Sequence, residues 1–236
     1  MAKPAFLNNV EHKDLKVITA RGERYGDNVM LAFTFPSEFR DLQAHYPIVF
    51  HKAADGTGFD AVALLGFQDG ENLFLENGRW DCPYIPLTIE RQPFLIGRSG
   101  DGLMVHIDME HPRVSTTEGR ELFLPHGANS DYLDEVSSML GAIHDGMESL
   151  PDFIKTLTEL ELIEGFVADI ELDDGSQNRL AGFYTINEER LASLDVAAIE
   201  RLHKANYLPG IYYQLASLSN FRNLIDRKNR RQAAQS

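Results

Sequence analysis

The spacing of apolar residues changes near Gly127, and that change restricts the fold more than any other feature of the chain. Before it, residues 15–19, 28–35, 47–51, 59–66 and 72–75 are short, rich in Val, Ile, Leu and Phe, and bounded by Gly or Asp. That pattern predicts strands joined by turns. Segments 87–97 and 103–109 continue it, and ADGTG, QDGEN and ENGRW supply the positive-φ positions that hairpins need. One short helix is expected over 37–46, capped by Ser37. After Gly127, Leu133, Val136, Met139, Leu140, Ile143 and Met147 recur at helical spacing behind a Ser130 cap. A separate helix is expected from Pro151, with Phe153, Ile154, Leu157 and Leu160 as its stripe, because proline is tolerated in a first turn. Residues 211–216 are expected as a strand after Pro209-Gly210, with helices from about Glu188, after Asp195, and behind Ser217 or Ser219. The fold class is therefore α+β: a β-rich N-terminal half with antiparallel hairpins, and a mixed helix and strand C-terminal half ending in a helix. The chain reads as a single domain over 1–236, with lobes at 1–127 and 128–236.

The formal net charge of −14 works against nucleic-acid binding and against adsorption to anionic lipid, since both need a basic surface. The local exception is the last helix, where Arg222, Arg227, Lys228, Arg230 and Arg231 face a single Asp226. It reads as a basic helix end, with a docking patch for an acidic partner as the alternative. The one cysteine, Cys82, precludes an intrachain disulfide. No histidine or glycine-rich helix start beside it lowers its pKa, so it reads as a loop residue rather than a nucleophile. No stretch approaches the ~20 apolar residues of a membrane span. The N-terminus lacks the apolar core of a secretory signal, so the expected location is cytoplasmic, with signal-independent export left open.

Two stretches carry candidate chemistry. In LMVHIDME, His106 and Asp108 have the spacing of two ligands in a two-His, one-carboxylate iron site, since alternate strand residues share a face. His126, His144 or His203 would be the third ligand, with His144 taken forward. A half-buried strand with one solvated face gives the same alternation without metal, and that is the favoured reading, so no cofactor is expected and iron is the alternative. The second stretch, NGRWDCPYIPLTIERQPF, gathers Trp80, Tyr84 and Phe94 around Arg91, residue types that anchor binding patches. Packing competes with binding there, because a lone Trp often closes a core.

A third stretch, ELDDGSQNRLAGFYTINEERL, resolves mainly into structure. With Asp174-Gly175-Ser176 as the loop of a hairpin, Ile170 faces Leu180, Phe166 faces Tyr184, and Glu171 pairs with Arg179. Against this register, such loops prefer Gly at the third position, which here is Ser176. Asn187 is expected to cap the following helix, with Thr185 as the competitor and Ile186 with Leu191 as a hydrophobic staple. Asn178, opposite Leu172, is left without a structural duty and is retained as a ligand or partner contact.

Five segments in order, EFRDLQAHYPIVF, ALLGFQDGENLF, GRWDCPYIPLTIERQPFLIG, DDGSQNRLAGFYTINEERLASLD and ASLSNFRNLIDRKNRR, resemble the SapC family of bacterial proteins over roughly residues 7–231. The resemblance implies no catalytic residues. It implies a non-catalytic accessory or binding protein of a bacterial uptake or modification system, with an unidentified protein, peptide or small-molecule partner. The alternatives are an Fe(II)-dependent oxygenase using the His-x-Asp site and a surface-layer-associated structural protein. A homo-oligomer is compatible with each.

Overall fold

A computed structural model describes residues 3–99 and 102–234, and the chain is α+β. Strands β1 (Pro4–Phe6), β2 (Lys16–Val17) and β3 (Leu31–Thr34) precede a short helix, α1 (Phe39–Leu42). Next come β4 (Ile48–Lys52), β5 (Phe59–Leu64), β6 (Leu75–Glu76), β7 (Arg79–Trp80), α2 (Leu87–Glu90), β8 (Phe94–Ser99), β9 (Gly102–Asp108), β10 (Val114–Ser115) and β11 (Arg120–Glu121). The rest holds α3 (Asp131–Glu159), β12 (Ile163–Glu171), β13 (Gln177–Ile186), α4 (Glu188–Ala192), α5 (Val196–Lys204), α6 (Leu208–Ser217) and α7 (Phe221–Ala233). These elements form two compact units that interleave along the chain. One contains Met1–Asp27, Leu75–Trp80 and Leu87–Asp145; the other contains Asn28–Phe74, Asp81–Pro86 and Gly146–Ser236.

The first unit is built on two three-stranded antiparallel sheets, β1-β9-β8 and β10-β2-β11. Ile107 of β9 belongs to its core with Leu7, Val17, Phe94 and Leu122, with Val105 packed partly buried against it, and Leu133, Val136 and Leu140 join from the first half of α3. Ser130 caps α3 as expected, its Oγ accepting the Leu133 N–H at 3.2 Å. Asn77-Gly78 turns β6 into β7, and of the strand expected over 72–75 only Leu75 is extended in β6.

The second unit carries a five-stranded antiparallel sheet in the order β12-β13-β4-β5-β3. Its central strands are dry on both faces: Ile48, Val49, Phe50, Ala61, Val62, Ala63 and Leu64 are all 0% exposed. Such continuous apolar runs, rather than alternating ones, belong to strands covered on both sides. The second half of α3 supplies buried Phe153, Ile154 and Leu157, with Phe153 edge-on to Phe39 at 6.3 Å. Gly146 is where that helix meets Phe35: a Cβ at this position would lie 2.1 Å from the ring.

Several expectations are corrected. The two helices expected on either side of Pro151 are one 29-residue helix, α3, with the proline inside it. The segment 211–216 is helical, not extended. Pro209 sits in the first turn of α6, and Gly210, Ile211, Gln214 and Ser217 are its buried residues, at helical spacing. Gln214 donates to the Ile48 carbonyl at 2.8 Å, and Ser217 Oγ accepts the Ile48 N–H at 2.9 Å, so α6 completes the hydrogen bonding of β4 at its buried end. Ser217 is thereby committed, and α7 starts after Asn220 without a side-chain cap. Around 37–46 the helix shrinks to α1, preceded by Glu38 rather than capped by Ser37. Residues 87–97 divide into α2 and β8.

The hairpin of β12 and β13 forms as expected, but its register shifts and its facing pairs change. Leu172 N–H bonds to the Ser176 carbonyl at 2.9 Å, so the loop is Asp173-Asp174-Gly175 and Gly175 holds the third position with φ of 80°. Ile170 therefore faces Asn178, Ala168 faces Leu180, and the exposed ion pair is Asp169 with Arg179 at 3.6 Å, not Glu171 with Arg179. Beyond a bulge opposite Val167, Phe166 pairs with Phe183 and Gly165 with Tyr184. Asn187 caps α4 through the Arg190 N–H at 2.7 Å, and Asp195 caps α5 through the Ala198 N–H at 2.8 Å. Ile186 and Leu191 are both buried, as a staple requires.

Candidate functional site

The β4–β5 turn and the second half of α3, both in the second unit, enclose a groove of about 870 Å³. Its strand-side wall runs from Lys52 to Asp60 around the turn. Asp55 Oδ1 accepts the Thr57 N–H at 2.9 Å and the Thr57 hydroxyl at 2.8 Å, and these bonds hold its carboxyl below the ordinary carboxylate pKa. The Ala53 N–H donates to the Gly58 carbonyl at 3.0 Å and closes the turn. Phe59 packs edge-on to Tyr184 at 4.7 Å, and the Lys52 ammonium lies 5.8 Å from the same ring. The helical wall presents Met147, Leu150, Ile154, Lys155 and Glu159. Gly58 lies against Ile154 and has no side chain to fill the space between the walls. The result is an apolar floor under a rim of both charges, a volume and lining ordinary for a small-ligand or peptide cleft.

The groove was not singled out from sequence, because ADGTG registered only as a turn and Phe153, Ile154, Leu157 and Leu160 only as a core stripe. A signal was present: Met147 and Pro151 lie on α3 beside the line that enters the core, and Ile154 belongs to both. An apolar arc that wide exceeds what one packed face buries.

The aromatic stretch is divided between the two units. Phe94 is 0% exposed in the core of the first unit, edge-on to Tyr132 at 6.0 Å. Arg91 donates to the Phe94 carbonyl at 2.6 Å, and its burial lowers the guanidinium pKa. Trp80 is half-buried on the β6–β7 hairpin of the first unit, whereas Tyr84 belongs to the second. There the Tyr84 hydroxyl donates to Glu38 at 3.1 Å, and Glu38 also accepts from Thr34 at 2.6 Å. Burial, then the Glu38 charge, raises the Tyr84 pKa well above a free phenol's. Asn178 accepts a hydrogen bond from Gln68 at 3.0 Å, which gives it the structural duty it lacked on sequence grounds. Cys82 is half-buried.

His106, Asp108 and His144 are not assembled as a metal site: among the described residues no group of three or more His, Cys, Asp or Glu side chains is placed to hold an ion. The Asp108 carboxylate instead accepts the Lys3 N–H at 2.8 Å and the Glu110 N–H at 3.1 Å, which lowers its pKa. The His106 ring packs edge-on to Phe6 and occupies the space beside Gly97 that a side chain would need.

A buried ionic group that no sequence motif marks lies in the first unit. Arg113, 1% exposed, grips Asp27 through bonds of 2.7 and 2.9 Å and donates to the Ile18 carbonyl at 3.0 Å. Arg21 joins Asp27 at 3.6 Å and also pairs with Glu90, whose pKa is raised by burial in spite of that partner. Two arginines against two carboxylates balance, and their bonds tie residues 18–27 to the rest of the unit. Three basic residues of the C-terminal helix are likewise engaged: Arg227 bonds Asp81 at 2.7 Å, Lys228 bonds Glu71 at 2.5 Å, and Arg231 donates to the Asn72 carbonyl at 2.9 Å, while Arg222 and Arg230 are exposed. Among the described residues no helix is long and apolar enough to cross a membrane.

The family model described as SapC matches residues 7–224. Comparison with curated proteins and with solved structures finds no match.

Proposed function

Given that the chain belongs to the SapC family, we propose that it is a non-catalytic accessory protein of a bacterial uptake or modification system that binds a small molecule or short peptide in the α3 groove. One observation carries this reading: an apolar floor left open between a closed turn and a helix that already fills the core with its other face. Concave, mostly apolar clefts are where small ligands are usually held. Several side chains that suggest chemistry in the sequence support it indirectly, since Phe94 and His106 are engaged in packing and Tyr84, Arg91, Asp108 and Asn178 in hydrogen bonds.

Thermal-shift screening of the whole chain against apolar small molecules, short peptides and co-encoded proteins tests the reading. A ligand that binds only the native state at ~100 times its Kd stabilises it by about 2.7 kcal/mol. The same screen on Gly58→Phe, which fills the space facing Ile154 at a position of ordinary backbone geometry, should lose that stabilisation. If no compound stabilises the protein, or every hit stabilises the blocked variant equally, the groove is not the binding site.

A further inference from the structure

Resting on the groove reading, we infer that its occupant is a small organic cation: an apolar body against α3 with one ammonium head held at Asp60. The strand wall decides which charge meets the helix. Side chains alternate between the faces of a strand, and Gly58, further along the same ladder through the Ala53 N–H bond, shares its face with Asp60. That face is the one turned to α3, because a Cβ on Gly58 would lie 4.0 Å from Ile154. Lys52, Phe59 and Tyr184 gather on the opposite face, where the two rings meet at 4.7 Å and the ammonium lies 5.8 Å from Tyr184. Lys52 is thus directed away from Asp60. His51, cross-strand from Asp60, lays its ring against Phe183 at 5.8 Å.

Asp60 is half-buried, and among the described residues it has neither an ion pair nor a side-chain hydrogen bond. A carboxylate drawn partly out of water beside an apolar floor costs free energy unless a donor or an opposite charge meets it. The other charges of the lining supply neither. Lys155 acts on Glu159, whose carboxyl is held below the ordinary range first by its bond to Arg201 and more weakly by that lysine. Asp55, also held ionised, uses only Oδ1 on Thr57. The lining therefore sets three carboxylates against two ammonium groups, in a chain of formal charge −14 that draws cations and repels anions. Met147, Leu150 and Ile154 take the body of the ligand, and a single ammonium needs only one carboxylate to hold it.

Isothermal titration of the intact protein with octylamine and 4-phenylbutylamine tests the inference, with octanol and octanoate as head-swapped controls. The amines should bind, octanoate should not, and added salt should weaken octylamine without affecting octanol. Asp60→Asn should weaken octylamine roughly tenfold or more and leave octanol unchanged, because only the head contact is lost. Glu118→Gln, exposed and outside the groove lining, removes the same overall charge and should leave octylamine binding unchanged. An unchanged melting temperature verifies that each variant folds; if one does not, the head-swap and salt readouts on the native protein decide. Octanol or octanoate binding as tightly as octylamine, an unaffected Asp60→Asn, or an equal loss in Glu118→Gln overturns the inference. A capped Leu-Lys-Leu peptide that binds more tightly than both amines makes the occupant a peptide and also overturns it. In those cases the groove reading survives if Gly58→Phe abolishes binding. Failure of every probe on the native protein also overturns the inference, while the groove itself is then judged by the wider screen.

Discussion

Tyr132 shows how burial converts one hydroxyl into a pH-dependent contribution to stability. Its pKa is pushed up to about 12, first by burial and then by the Glu90 charge, against the partial relief of Arg120, Arg113 and Arg21. Arg120 lies over its ring at 4.3 Å. The unfolded chain releases this proton near pH 10, while the native chain keeps it to about 12. Stability contributed by the raised pKa is thus complete below pH 10 and is lost as the pH climbs towards 12. The loss expected from this residue is on the order of 2–3 kcal/mol. Denaturant melts between pH 9 and 12 should show Tyr132→Phe flattening the decline, with the same-direction contribution of Tyr84 remaining. An unchanged alkaline slope in the variant would count against this assignment.

At the scale of elements, α3 and the β12–β13 hairpin show how a single glycine decides packing or register. Gly146 lets the Phe35 ring rest against α3, so Gly146→Val should destabilise the protein by about 1–3 kcal/mol through overpacking, although valine is the better helix former in isolation. Urea denaturation measures it; a neutral or stabilising change would mean that the ring has room to move. Gly175 plays the corresponding part in the hairpin, and its preference for the third loop position was legible from sequence as the objection to the register first chosen there. The caps at Ser130, Asn187 and Asp195 were legible for the same reason: short-range chemistry fixes them. The helix α6 was not, because its inward residues include Gln214 and Ser217, and their value depends on Ile48, which lies far away in sequence. Pro151 misled in the opposite direction, since tertiary packing on both of its sides carries one helix through it. The groove needed two distant elements at once, and neither LPDFIK nor KAADGTGFD has the composition of a site when read alone.

Over the whole molecule, α7 acts on two places in the second unit that are far apart in sequence. Phe221 stacks on Phe166 at 5.2 Å, Asn229 accepts the Asp173 N–H at 3.1 Å beside the hairpin loop, and Lys228 bonds Glu71. Part of the basic run, Arg227, Lys228 and Arg231, is therefore an internal fastening. Lys228 and Glu71 are 13% and 12% exposed, so Lys228→Ala should cost about 1–3 kcal/mol and leave Glu71 with the Phe67 N–H as its remaining partner. Hydrogen exchange should then quicken in residues 67–74 before it does in β4 and β5. Equal protection in both segments, with or without the lysine, would remove α7 from this role.

The long helix has a consequence for ancestry. Because the two units interleave and α3 contributes residues to each, no single cut in the chain separates one unit from the other. Gene fusion and exchange move continuous segments, so neither unit can be traded between proteins by one crossover. One family model running from residue 7 to residue 224 accordingly takes in segments of both units.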